Sequence, residues 1–232
     1  MKTFIHPAGN NIMANPLGKI SLKRGITSYG KVQSLISKLI RGKSAFVSKK
    51  NISSRTLLNV GCGTNTNPGF INLDYHWLKS IDICWDITKK PYPIPDQHLE
   101  GVYSEHCLEH IPLEAFEANI KEFYRMLKPG GTVRIVMPDG ELYFDLYQRK
   151  KAGEDVHMPY EENYISPMAR INGLFRNYGH QFIHDFYTVK KILERSGFKD
   201  VQRASYRQGR DPRLLIDMEW RRDESLYVEA IR

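Results

Sequence analysis

The residues best suited to chemistry in this chain begin at Gly61-Cys62-Gly63, directly after the apolar run Leu57-Leu58-Asn59-Val60. A second apolar run, Ile71-Asn72-Leu73, ends in Asp74. A glycine turn after one buried strand and a carboxylate closing the next are what an open α/β sheet uses to hold an adenosine ribose. Glycine lets the backbone approach a ligand where a Cβ would collide, and Asp74 can accept from two neighbouring hydroxyls.

The turn departs from the dinucleotide pattern in two ways. Gly61-Cys62-Gly63-Thr64-Asn65-Thr66 has Thr66 in place of a third glycine, and Asp74 follows Gly61 by only 13 positions. A full intervening helix, whose N-terminus would cradle a pyrophosphate, needs about 20. Pro68-Gly69 interrupts the little helix that could form. A nucleoside without phosphates suits this turn, and S-adenosylmethionine, an adenosine carrying a methionine sulfonium, is the candidate.

His106-Cys107-Leu108-Glu109-His110 matches HxxEH, a zinc-peptidase signature in which two histidines share a metal and the glutamate acts as base. Ile111-Pro112 breaks the chain directly afterwards, whereas that site needs a sustained helix and a further ligand downstream. The expectation is that no metal is bound.

These residues need a frame to position them, and the chain alternates as a doubly wound sheet demands. Strands are predicted at about 56–60, 70–74, 81–84, 101–104, 131–137, 199–205 and 225–231. A helix over about 113–127 sets Leu113, Phe116, Ile120, Phe123 and Leu127 on one face and stops at Lys128-Pro129-Gly130-Gly131. Another starts with Thr188 as N-cap, buries Val189, Ile192 and Leu193, and closes at Gly197. Ligands of such sheets lie at the carboxyl ends of the strands. Asn59 to Thr64, Asp74-Tyr75, Asp86-Ile87 and Ser104-Glu105-His106 should meet there.

Four segments, "LLNVGCGTNTNPGFINLD", "DICWDITKKPYPIPDQHLEGVYSEHCLEHI", "EFYRMLKPGGTVRIVMPD" and "HDFYTVKKILERSGFKDVQ", resemble successive motifs of class I S-adenosylmethionine-dependent methyltransferases. The similarity is greatest to the methyltransferase type 11-like group and covers about residues 55–232. It implies a Rossmann-like seven-stranded sheet whose last strand inserts antiparallel between the preceding two. It also implies S-adenosylmethionine as cofactor, with Asn59, Gly61, Cys62, Gly63, Asp74, Tyr75, Asp86, Ile87, Ser104, Glu105 and His106 around it. In the resembling family the position of Asp86 accepts from the adenine amino group, and that of Ile87 packs on the base. Many members have an acidic residue where this chain has Asn59, an amide that can accept from the ligand's ammonium group without bringing charge.

Methyl transfer asks for position and desolvation, and a hydroxyl acceptor also asks for a general base. His110, His180 and His184 are the candidates, with Asp185 and Asp139 as orienting carboxylates. Residues 138–187 are longer than a simple connection and rich in aromatics, from Tyr143 and Phe144 to Phe186 and Tyr187. They read either as a cap over the acceptor or as a satellite core under a long loop. The expected reaction is transfer of a methyl group to a hydroxyl or carboxyl of a small-molecule or glycan acceptor. RNA methylation, or a cofactor-binding module without turnover, are the alternatives.

Charge is uneven along the chain. Residues 1–55 carry 11 Lys or Arg and no Asp or Glu, while the other 177 hold 23 basic and 26 acidic residues. Residues 1–54 therefore read as a basic extension, with Val32, Leu35, Ile36, Leu39 and Ile40 at helical spacing. Such a helix can lie on an anionic membrane, contact nucleic acid, or pack on its own domain. An organellar transit sequence also starts this way. No apolar run reaches the length of a spanning helix, and the start has no secretory core. Cys62, Cys84 and Cys107, odd in number and without a CxxC pair, fit a reducing, cytoplasmic setting.

Overall fold

The computed structural model describes residues 31–43 and 49–232. Strands β1 (Leu57–Val60), β2 (Ile71–Asp74), β3 (Ile83–Cys84), β4 (Leu99–Glu105), β5 (Leu127–Pro138), β6 (Lys199–Arg203) and β7 (Ser225–Ile231) form one sheet. Its order is β3-β2-β1-β4-β5-β7-β6, with β7 antiparallel between β5 and β6 as expected. Every residue of β1 and β2 is buried, which is why both read as continuous apolar runs: helices or loops cover each face.

Helices α1 (Lys31–Ile40), α2 (Lys49–Ser54), α3 (Leu113–Met126), α4 (Gly140–Lys151), α5 (Pro167–Arg176) and α6 (Phe186–Arg195) complete the frame. Phe116, Ile120 and Phe123 of α3, with Val189, Ile192 and Leu193 of α6, pack on Leu58, Val102, Val133 and Val228 of the sheet. The opposite face gathers Leu57, Tyr103, Val136 and Tyr227 with Phe70 and Leu214. There Arg134, fully buried, donates to Asp217 at 2.5 and 2.9 Å and to Glu229 at 2.7 Å. It also donates to the Ser205 and Gln208 carbonyls, so one guanidinium pins the loop ahead of β7 to the sheet.

The bounds of β3, β4 and β6 shift by one or two residues from expectation, and two further differences have clear local causes. β5 starts at Leu127, which pairs with Leu99 before a bulge brings Gly101 opposite Thr132. The N-cap of α6 is Asp185, whose carboxylate accepts from the Thr188 amide at 2.8 Å. Thr188 lies within the first turn instead, because a carboxylate satisfies that orphan donor and suits the helix N-terminus.

Most of the basic extension lies outside the described residues. Its helix α1 packs on the β2–β3 edge through its C-terminal turn: the Trp77 amide donates to Ser37 Oγ at 2.8 Å, and Gly42 donates to the Cys84 carbonyl. Val32, Leu35 and Leu39 stay exposed. Within residues 138–187, α4 and α5 enclose their own cluster of Tyr143, Leu146, Met158, Ile171 and Leu174. Among the described residues, no helix is long and apolar enough to cross a membrane.

Candidate active site

The turn after β1 is fastened to β2, since the Gly61 and Cys62 amides both donate to the Leu73 carbonyl. Gly61 has φ +70°, and a Cβ there would meet Cys107 Sγ at 2.1 Å, so this close approach admits only glycine. Gly63, at φ +54°, differs: a Cβ on it would meet nothing within 4 Å. Its backbone faces open space, as a wall against which a ligand lies must.

Asp74 closes the cradle. Its two carboxylate oxygens accept from the Gly63 amide at 2.9 Å and the His76 amide at 2.8 Å, which sets the carboxylate at the strand ends and leaves lone pairs on each oxygen. Burial pushes its pKa up, opposed by those two amides. Tyr75 beside it is exposed, with the Arg41 guanidinium 3.4 Å over its ring. Arg41 Nε also donates to the Tyr75 carbonyl at 2.9 Å, so the extension buttresses this corner.

Other expected donor contacts have different partners. The Asn59 amide donates to the Asn65 carbonyl and shapes the turn, and Ser104 Oγ donates to the Val60 carbonyl across the β1–β4 pair. Asp86 accepts from the Thr88 amide and hydroxyl, capping a turn, while Ile87 packs against the main core. Buried Cys62 has its thiol pKa pushed up, chiefly by burial. Glu105 is corrected: strand alternation turns its carboxylate to the opposite face, where it accepts from the Met218 amide at 3.0 Å.

His106 is also corrected. It sits at φ +46° with its side chain 3% exposed, and its Nε2 meets Ser225 Oγ of β7 at 2.8 Å while Nδ1 lies 3.4 Å from Glu109. Burial and Arg221 lower its pKa to about 4.

Leu108–His110 form a single 3-10 turn, so the chain breaks where Ile111-Pro112 predicts. A further ligand nevertheless arrives from the segment ahead of α6. His180 Nε2 lies 4.0 Å from Glu109 Oε1, and His110 Nε2 lies 3.8 Å from it. The ligand atoms of Glu109, His110 and His180 all fall within 4.8 Å of one another. The Gln181 and Phe182 amides both donate to the Glu109 carbonyl, which clamps the two segments together. Burial alone would raise the Glu109 pKa, but His106, His110 and His180 outweigh it and hold the carboxyl far below its usual range.

The remaining candidates serve the fold. His184 is 1% exposed and packed between the tilted rings of Phe116 and Phe182, with no hydrogen-bond partner on either ring nitrogen. Burial lowers its pKa to about 4. Asp185 caps α6, and Asp139 caps α4 while accepting from Arg203 at 2.9 Å.

Sequence reasoning missed Cys107 as the contact of Gly61 and Arg41 as the support of Tyr75. Only the fold places either one. In the sequence Glu109 reads solely as the base of a zinc-peptidase motif.

A strand order that turns back at β7, with a glycine turn facing a buried strand-end carboxylate, defines a Rossmann-like fold of the methyltransferase type. The methyltransferase-domain family model matches residues 32–203, and the chain belongs to that family, as a class I enzyme using S-adenosylmethionine. No curated protein matches in sequence. Among solved structures it is similar to an S-adenosylmethionine-dependent methyltransferase from Archaeoglobus fulgidus, at 16% identity over 86% of this chain and 94% of that one, TM-score 0.48. One from Mesorhizobium loti is 16% identical over 78% and 93%, TM-score 0.46. The Haemonchus contortus phosphoethanolamine N-methyltransferase 2 is 16% identical over 77% and 48%, TM-score 0.45.

Proposed function

We propose that the chain methylates a hydroxyl or carboxyl oxygen of a small-molecule or glycan acceptor. The observation that carries this is the position of Glu109, His110 and His180 relative to the glycine turn. Cys107 lies against Gly61, and its neighbours in sequence form the carboxylate–imidazole cluster, so proton-accepting groups stand beside the donor cradle.

S-adenosylmethionine supplies a methyl group already bonded to a good leaving sulfur. The chain's work is to bind, orient and take a proton. Gly63 and Asp74 fit an adenosine ribose, the first by its open face and the second by its free acceptor capacity. At the cluster, the acceptor oxygen forms its bond to the methyl carbon as the carbon–sulfur bond breaks, and the hydroxyl proton passes to the imidazole side of the cluster. His110 is the half-exposed member and is the one an acceptor reaches. The buried Glu109 carboxylate stabilises the resulting positive charge. Tyr160 and Tyr178, both exposed and both at positive φ, are candidates for an acceptor wall from the 138–187 cap.

The test is a panel of sugars, phenols, carboxylic acids, amines and RNA incubated with the full chain and donor, reading S-adenosylhomocysteine and product mass. Turnover confined to oxygen acceptors, falling about 100-fold or more in His110→Ala, is expected. Turnover confined to amines or to RNA, or none across the panel, overturns the proposal.

A further inference from the structure

We infer that Glu109, His110 and His180 form a binding site for a divalent first-row transition-metal ion, beside the donor cradle. The argument starts from an unusual convergence of acceptors. Glu109 is 1% exposed and neither carboxylate oxygen has a hydrogen-bond donor. Leaving a buried carboxylate so unsatisfied is costly, and the groups around it decide what can satisfy it.

The tautomers follow from their partners. His180 Nδ1 lies 2.6 Å from the Leu174 carbonyl, which can only accept, so Nδ1 carries a hydrogen and the neutral ring presents an Nε2 lone pair toward Glu109. Ser225 Oγ donates its single hydrogen to the Arg221 carbonyl at 2.7 Å, so it must accept from His106 Nε2. His106 Nδ1 also faces Glu109, at 3.4 Å. Ring nitrogens thus converge on a buried carboxylate, and in the neutral rings no hydrogen lies between them. A cation at their centre resolves the arrangement.

Two imidazoles and a carboxylate are the donor set that suits zinc, manganese or iron, and they disfavour magnesium, which prefers oxygen and water. The Leu174 carbonyl plays the part that outer partners of metal-bound histidines usually play, fixing the ring and its tautomer. For bonds of roughly 2.1 Å in a tetrahedral site, the separations of 3.8 and 4.0 Å from Glu109 need to close by about 0.5 Å, and that between the two imidazoles, within 4.8 Å, by at most about 1.4 Å. Side-chain exposure is 7% at His180 and 38% at His110, so the site opens on the His110 side.

This deepens the proposed function and rests on it for the acceptor: an ion held there would make an acceptor hydroxyl that reached it more acidic, with His110 as ligand in place of base and the proton leaving to solvent on the open His110 side. The experiment is equilibrium dialysis of the chelator-stripped full chain against zinc, manganese and magnesium separately, with metal content measured afterwards. About one equivalent of zinc or manganese is expected, reduced at least about tenfold by Glu109→Gln and by His180→Ala. S-adenosylhomocysteine binding and thermal unfolding report whether the variants are folded. Should either fail to fold, His110→Ala, at the half-exposed position, takes its place. No uptake of zinc or manganese by the wild-type chain, or equal uptake by the folded variants, overturns the site. Metal uptake without turnover of any oxygen acceptor overturns the proposed function and leaves the site standing; oxygen-acceptor turnover by protein that takes up no ion does the reverse.

Discussion

Gly63→Ala separates a glycine kept for its ligand from one kept for its backbone. Gly63 and Gly130 both adopt positive φ, +54° and +82°, and a Cβ on either meets nothing within 4 Å. Alanine at each position therefore costs the same kind of energy, the left-handed strain of about 1–2 kcal/mol. In a domain of this size that corresponds to a melting temperature lower by about 2–8 °C. The two positions differ only in place. Gly63 donates to Asp74 at the carboxyl ends of β1 and β2, whereas Gly130 sits at the start of β5 and donates to the Arg232 carbonyl. A methyl group on Gly63 enters the space assigned to the donor, so its affinity should fall at least about tenfold, some 1.4 kcal/mol. Gly130→Ala should bind as the wild type does. Calorimetric titration with S-adenosylhomocysteine, beside thermal unfolding of both variants, makes the comparison. Equal affinity in the two variants would refute the placement of the donor against Gly63.

Three further outcomes follow from groups outside the cradle. His184, with its pKa lowered to about 4, is held neutral in the fold. Its contribution is therefore complete above pH 6.5 and is lost as pH falls from there toward 4, by about 3 kcal/mol. His184→Leu should flatten that part of the stability profile in urea unfolding at pH 7 and pH 4.5; an unchanged slope would contradict it. Arg134→Met leaves Asp217 and Glu229 buried without their cation, and urea unfolding should show a loss of about 3–5 kcal/mol; a loss under about 1 kcal/mol would mean that water reaches the network. Ser37→Ala removes the acceptor of the Trp77 amide, so hydrogen exchange at Trp77 should accelerate, with roughly 1 kcal/mol less protection. Unchanged exchange would show that α1 is not what shelters that edge.

The sheet was legible because burial on both faces writes itself into strands as unbroken apolar runs, and because α3 and α6 each show one clean stripe. Boundaries failed where two local signals compete. At the start of α6 both Asp185 and Thr188 are good caps, and only the observed entry of the chain decides between them. The geometry of Gly61, Gly63 and Asp74 was legible for a related reason: it rests on backbone conformation and strand-end position, which sequence order nearly dictates. Side-chain direction was not. Glu105 and His106 stand next to Ser104 in sequence, yet strand alternation sends Glu105 to the far face, and the positive φ at His106 turns that ring toward β7.

The same difference explains the cluster around Glu109. HxxEH is a statement about one helix, and the break at Ile111-Pro112 correctly rules that helix out. The chemistry of the residues survives the loss of the helix, because a 3-10 turn still presents Glu109 and His110 together, and the long 138–187 segment returns His180 to them from 70 residues away. The clamp of Gln181 and Phe182 on the Glu109 carbonyl makes that return a fixed feature of the fold. Cys107 then couples the two halves of the site. Its side chain fills the space that a Cβ on Gly61 would need, so a shift of the Cys107–His110 turn changes the wall of the donor cradle as well as the cluster. Anything that settles the cluster, whether acceptor or ion, should therefore alter donor affinity, and by linkage the donor should alter affinity at the cluster by the same factor.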